Sequence, residues 1–390
     1  MSTLKVNTIR HTGASSDAVT LATDGTCTAK ITNNLSNRNL IINGACNVAQ
    51  RGTSKAGAIG YQTVDRINIS QSGGQNAPDT AQRALTSSDT GPWAKGFRNC
   101  YQLTNGDQSS ADADDYCQIM YKLEAQDVAN SGWDYTSTSS YITLSFWVKS
   151  SVAQTYYVRL NAEDASKAYS FAISVTTSWQ KITKSIPGNS NLVFNDDNGC
   201  GIALYFIPFY GTNYTTSGHT NDSWITDSGS DQVTDMNGTW WLQDDATFEL
   251  TGLQLEVGDV ATDFEHRSYG DELARCQRYY YLHSHGATAD SNSQAPVANA
   301  ANYNTTVSFG VVHFPVTMRS YPTIDAVVGT SYFRLYSDGG ADPFDNVSLQ
   351  QSSPQSYILR FDGNLSGTAG YASFVQTNNS AAKIAFQAEL

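Results

Sequence analysis

The most constraining feature of this 390-residue chain is a strict alternation from Tyr141 to Lys149. Ile142, Leu144, Phe146 and Val148 take one parity; Tyr141, Thr143, Ser145 and Trp147 take the other. Successive side chains of a strand point to opposite faces, so this run predicts a strand with one face in a core and one face free to be polar. The spacing recurs at Tyr156, Val158 and Leu160, and again at Phe171, Ile173 and Val175. Ile202, Leu204 and Phe206 belong to an almost continuously apolar run of the kind expected of a central strand. Strands of this density, joined by hairpins, predict a two-sheet β-sandwich over residues 39–267.

Two breaks in the alternation carry information. From Phe248 and Leu250 to Leu253, Leu255 and Val257 the inward set shifts phase at Thr251–Gly252, which predicts a β-bulge. Few windows show helical spacing; the best is Asp271–Arg278, where Leu273, Cys276 and Gln277 share a face, and 268–278 reads as a short linker helix. A chain of 390 residues exceeds what one core usually organises, and 279–390, with strands at Tyr279–Leu282 and Thr306–Val312, is long enough for a second β-sandwich. Residues 1–38 hold only short runs such as Leu4–Arg10 and Ala18–Leu21, strands too short to bury anything alone, so sister copies around an axis are expected to supply their partners. The fold class predicted is all-β: an N-terminal stranded stalk, a β-sandwich, a linker helix and a C-terminal β-sandwich.

Composition narrows the function classes. A formal net charge of -13 repels phosphate backbones and argues against nucleic-acid binding, although the first forty residues hold four basic side chains against two acidic ones. The six cysteines contain no Cys-x-x-Cys pair and read as reduced, mostly buried thiols, with Cys100 and Cys117 bridgeable only if they lie on paired strands. There is no apolar leader and no stretch of about 18 apolar residues, so the expectation is a protein made in the cytoplasm without membrane insertion. Repeats of the β-helix kind are missing. Gly-x-Ser-x-Gly, paired-histidine zinc and phosphate-loop motifs find no support, so no catalytic residue, metal or cofactor is assigned. His283 and His285 share a strand face but lack a third ligand, and are read as exposed interface histidines. The acidic groups Asp112, Asp114, Asp115 and Asp196, Asp197 suit calcium or, more commonly, a solvated acidic turn.

Several segments resemble phage tail-fibre and related appendage proteins. NLIINGACNVAQRGTS (39–54) with TVDRINI (63–69) resembles the opening of a jelly-roll, carbohydrate-binding-module-like domain, and SFWVKSS (145–151) resembles a core strand of it. GLQLEVGDVATDFEHR (252–267) resembles its closing strand, and ELARCQRYY (272–280) the helix and strand that follow. In physical terms Leu253, Leu255 and Val257 fill the sandwich and Phe264 covers its edge, while Glu265 and Arg267 are expected to stay wet. FPVTMRSYPTI (314–324) is similar to part of a C-terminal β-domain, and LKVNTIR near the start to a virion-proximal stalk. The resemblance implies a virion protein, homotrimeric, held to other virion structural proteins through Leu4, Val6, Ile9 and Arg10.

All seven tryptophans fall between residues 93 and 241. Trp147 and Trp179 sit in strand patterns; Trp93 and Trp133 follow turns and are expected to be exposed. Sugar rings present C–H faces that stack on aromatic rings, so exposed aromatics beside Asp, Asn and Gln suit a glycan. Residues 211–246 form a long polar loop of the functional kind, and Tyr214, Trp224 and Trp240 join Trp93 and Trp133 as candidate contacts to host surface polysaccharide. The same aromatics serve equally to pack the loop or to make subunit contacts. The expected role is a non-enzymatic appendage subunit. A purely structural virion protein and a polysaccharide-degrading tailspike remain alternatives.

Overall fold

The computed structural model describes residues 5–15, 17–25, 27–29, 37–288 and 293–390. It is all-β, with 43% of residues in strands and 6% in helices. The first sandwich packs a six-stranded sheet on a seven-stranded one. In the six-stranded sheet the order is Gln180–Pro187, Tyr141–Ser150, Thr247–Val257, Asn99–Thr104, Asp79–Ala84 and Ser54–Lys55. In the other it is Trp224–Thr226, Lys167–Val175, Gln154–Ala162, Cys200–Tyr210, Tyr116–Glu124, Ile67–Ser72 and Gly60–Tyr61.

The alternation read from sequence sets the inner faces. Ile142, Leu144, Phe146 and Val148 are 0% exposed and meet the facing sheet, Phe146 edge-on to Phe206 at 4.9 Å. Burying each such side chain contributes about 1.5–3 kcal/mol, which offsets the ordering of the strands that carry them. The bulge falls where the phase shift placed it. Pairing steps from Ser145 opposite Gln254 to Trp147 opposite Thr251, leaving Gly252 and Leu253 against Phe146. Gly252 takes φ 64°, a conformation that disfavours a Cβ.

The C-terminal sandwich sets the three strands Tyr280–His285, Lys383–Gln387 and Thr323–Val327 against a seven-stranded sheet. Its own core holds Phe333, Phe344, Tyr357, Leu359, Phe361, Val375 and Phe386. The helix between the sandwiches spans Tyr269–Gln277, capped by Ser268 Oγ, which accepts from the Asp271 amide at 3.2 Å. Its buried positions are Glu272 and Cys276 rather than the Leu273, Cys276, Gln277 face, because Glu272 Oε1 accepts from the Asn43 amide at 2.6 Å. After it Arg278 grips Glu124 through two bonds of 2.7 Å, and Arg319 donates to Asn198 O, Ala388 O and Glu389 O.

Other expectations are corrected. Arg267 and Glu265 are not wet: their side chains are 7% and 15% exposed, and Arg267 donates to the carbonyls of Asn39 and Ile41 while pairing with Glu265 and Glu272. The cysteines are free thiols and mostly buried, as read from sequence, with Cys100 and Cys117 on different sheets; Cys27 departs from that reading in being exposed. His283 is partly buried, its Nε2 2.7 Å from Val297 O, and burial lowers its pKa. Near the N-terminus Thr8–Ile9, Val19–Leu21 and Cys27–Ala29 pair with one another in a three-stranded sheet of the same chain. Val6 and Ile9 are nevertheless 38% and 56% exposed, and Arg10 lies 3.8 Å from Asp17; Leu4 lies outside the described residues. Among the described residues no helix is long and apolar enough to cross a membrane.

Candidate functional site

The outward parity of the seven-stranded sheet builds a groove. In Gln154–Ala162 the inward side chains are Tyr156, Val158 and Leu160, so Tyr157, Arg159 and Asn161 face away from the core. Tyr205 stands beside Arg159 on the neighbouring strand, and Tyr116 and Gln118 follow on the next. The loop after Tyr210 supplies Tyr214, Asp227, Gly229 and Gln232, and together they line a cleft of about 410 Å³.

Four tyrosines give the cleft its aromatic surface. Tyr214 lies 5.4 Å from Tyr116 and 5.6 Å from Tyr210, and Tyr116 meets Tyr210 edge-on at 6.3 Å. Burial pushes the phenols of Tyr205, Tyr210 and Tyr214 up, so they are neutral hydroxyls. Tyr210 donates to Gln118 Oε1, and Tyr214 donates to Asp114 O at 3.3 Å.

Beneath them Asp227 holds two side chains side by side. Arg159 donates through Nη2 to Asp227 Oδ1, and Asn161 donates through Nδ2 to Asp227 Oδ2 at 3.3 Å. Arg159 and Asn161 are 2% and 6% exposed, yet Arg159 Nε and Asn161 Oδ1 have no hydrogen-bond partner among the described residues. A buried polar atom left unpaired costs about 1–3 kcal/mol, so this donor and this acceptor leave the cleft wall short of two hydrogen bonds. The guanidinium charge is already met by Asp227.

Ser170 pairs across the sheet with Arg159, and its Oγ hydrogen-bonds His219 Nε2, whose Nδ1 is 2.7 Å from Asp231 Oδ1. The order matches a nucleophile, base and orienting acid. Ser170, however, is 2% exposed, with its hydroxyl also directed at Asn221 Oδ1, so this trio fastens the 211–235 loop to the sheet. That loop adds the edge strand Trp224–Thr226 and a bridge between Thr215 and Val233.

Of the candidates named from sequence, only Tyr214 lines the cleft. Trp133 and Trp240 are 3% and 0% exposed, corrections to their expected role: Trp133 is packed between Tyr135 and Phe194, and Trp240 is sealed into the main core. Trp224 packs on Tyr169 and donates to Pro187 O at 2.7 Å, outside the cleft. Trp93 belongs to the opposite side of the sandwich, half-buried under the Arg98 guanidinium at 3.9 Å. The acidic groups are used within turns: Asp115 accepts from the amides of Gly74 and Asp112, Asp196 from Asn130, and Asp197 from the Gly199 amide. Among the described residues no cluster of three or more His, Cys, Asp or Glu side chains is placed to hold a metal ion. Tyr116, Arg159, Asn161 and Tyr205 escaped the sequence reading, although the parity opposite Val158 and Leu160 already put Arg159 and Asn161 on the outer face.

No family model and no curated protein matches the sequence. Among solved structures the chain is similar to the enzymatically active domain of bacteriophage CBA120 tailspike protein 4, at 9% identity and TM-score 0.29, over 56% of this chain. It spans about a fifth of that tailspike chain, 21%. It is also similar to the family 11 carbohydrate-binding module of the Clostridium thermocellum cellulase Lic26A-Cel5E, at 13% identity and TM-score 0.25, over 54% of this chain and 99% of that one. A third likeness is to the CBM22-1 xylan-binding domain of Paenibacillus barcinonensis Xyn10C, at 12% identity and TM-score 0.24, over 53% and 94%. At TM-scores below 0.5 these likenesses do not bear on what this chain does.

Proposed function

We propose that this chain binds a glycan in the tyrosine-lined cleft, without catalysis. One observation carries the reading: Arg159 Nε and Asn161 Oδ1, a donor and an acceptor two residues apart on one strand, are buried and without a hydrogen-bond partner among the described residues, in a wall shared with Tyr205 and Tyr116. Two neighbouring hydroxyls of a sugar ring complement that pair, one accepting from Arg159 and the other donating to Asn161, while the ring's C–H face lies on a tyrosine. Since Asp227 already balances the guanidinium, a neutral sugar is favoured over an anionic one.

The biological setting we propose is a phage virion appendage, a tail-fibre or receptor-binding subunit that adheres to host surface polysaccharide. The motif resemblance over 39–69 and 252–280 supports it. The exposed stranded segment around Val6, Ile9 and Arg10 would attach it to the virion, and a homotrimer would turn weak single sites into avidity. Screening the purified chain on a glycan array, followed by calorimetry with the best neutral oligosaccharide, tests the binding. Tyr205→Ala and Asn161→Ala should each weaken it about tenfold or more, by the loss of stacking or of one buried hydrogen bond. Sedimentation velocity tests the trimer. A chain that binds no glycan on the array would defeat the reading and leave a purely structural role.

A further inference from the structure

The outer face of the other sheet carries a second pocket of different chemistry. Trp147, on the outward parity of Tyr141–Ser150, forms one wall of a cavity of about 560 Å³ lined also by Phe97, Phe264, His266, Lys95 and Lys181. That volume falls in the range of small-molecule sites. Phe97 and Phe264 meet edge-on at 4.8 Å, and His266, 5.0 Å from Phe97, is fixed by its Nε2 at 2.9 Å from Lys95 O. The backbone makes room for the rings. A Cβ on Gly91 would lie 2.6 Å from the Trp147 ring, and one on Gly252 would lie 2.7 Å from Phe97.

Charge separates this pocket from the cleft. Three cations elsewhere on the same sheet are used: Lys149 and Arg83 pair with Glu249 and Asp89, and Lys184 pairs with Asp222. Lys95 and Lys181 both line the pocket, and neither ammonium has an ion-pair partner among the described residues. They outnumber the single carboxylate there, Asp263, in a chain whose net charge is -13. A local excess of positive charge over an aromatic wall draws an anion to a place the mean field does not favour.

We infer that this pocket binds a carboxylate-bearing sugar, such as a uronate residue of an acidic polysaccharide. The ring's C–H face lies against Trp147 and Phe264, and the carboxylate lies between Lys95 and Lys181. The site stands independently of the tyrosine cleft, on the opposite outer face of the sandwich.

The test is calorimetric titration of the full chain with β-1,4-linked tetraglucuronate, with cellotetraose and a sulfated tetrasaccharide as comparisons. Tetraglucuronate should bind saturably, and its affinity should fall several-fold between 50 and 500 mM NaCl as the exposed charges are screened. The double charge reversal Lys95→Glu with Lys181→Glu changes only exposed side chains; it should leave the unfolding midpoint in place and weaken tetraglucuronate at least tenfold. Tyr205→Ala, in the cleft, should leave tetraglucuronate binding intact. Absence of saturable binding, indifference to the charge reversal, preference for the sulfated or neutral sugar, or loss on Tyr205→Ala would each overturn the assignment.

Discussion

The guanidinium of Arg66 lies 3.4 Å over the ring of Tyr279 and forms an ion pair with Glu389. Three distant parts of the chain meet there: Arg66 just before the strand Ile67–Ser72 of the first sandwich, Tyr279 two residues past the linker helix, and Glu389 next to the last residue. Arg51 repeats the arrangement, 3.6 Å over Tyr280 and 3.1 Å from the same Glu389. Through these contacts and the Glu124–Arg278 pair the two sandwiches share one charged, aromatic seam.

Breaking the seam should be costly. Arg66 and Glu389 side chains are 1% and 8% exposed, so Glu389→Ala leaves two buried guanidinium groups without their carboxylate. The expected loss is about 3–5 kcal/mol, read from urea unfolding. The double variant Arg66→Met with Glu389→Leu should recover much of it, since the uncompensated charge is then gone.

Asp65 gives stability a pH dependence of known sign. It is buried, and desolvation raises its pKa from 3.8 to about 6 despite Arg51 and the Gln50 hydrogen bonds. The folded state therefore holds this proton more tightly than the unfolded one. The resulting contribution is present below about pH 4 and is lost as pH rises through about 6. Two pKa units correspond to about 3 kcal/mol. Unfolding measured from pH 4 to 7 should show Asp65→Asn gaining on the parent by up to that order; a pH-independent difference would contradict the burial argument.

Aromatic substitutions should divide into two classes. Trp133→Ala and Trp240→Ala empty sealed core sites, 3% and 0% exposed, and should lower stability by about 3–5 kcal/mol. Tyr214→Ala, at the cleft, should leave the thermal midpoint nearly unchanged and weaken glycan binding several-fold, checked by calorimetry beside a melting curve.

Gly252→Ala should destabilise by more than the roughly 1–2 kcal/mol that a Cβ costs in a left-handed conformation. Its φ is 64°, and the new methyl would sit 2.7 Å from Phe97 and 3.1 Å from Trp147. A melting curve reads the stability, and the Trp fluorescence of the variant reports the displaced ring.

The thiols should react in order of burial. Burial pushes the Cys46 and Cys200 thiols up to about 12, and raises those of Cys100, Cys117 and Cys276 as well. Cys27 is exposed. A disulfide exchange reagent at pH 8 should titrate Cys27 at once and the buried thiols only on unfolding.

Which side chains of each strand enter a core was legible from spacing alone. Ile142, Leu144, Phe146 and Val148 are inward because side-chain direction repeats every two residues whatever the strand pairs with, and the slip before Leu253 had to be absorbed as a bulge for the same reason. The fate of the outward parity depends on long-range packing. Arg159 and Asn161 form a site because Asp227, 68 and 66 residues away, is brought beside them by a loop, and Trp133 and Trp240 are lost to the surface because other segments close over them. Local spacing carries no record of which distant segment covers a face, since that is settled by the packing of the whole chain.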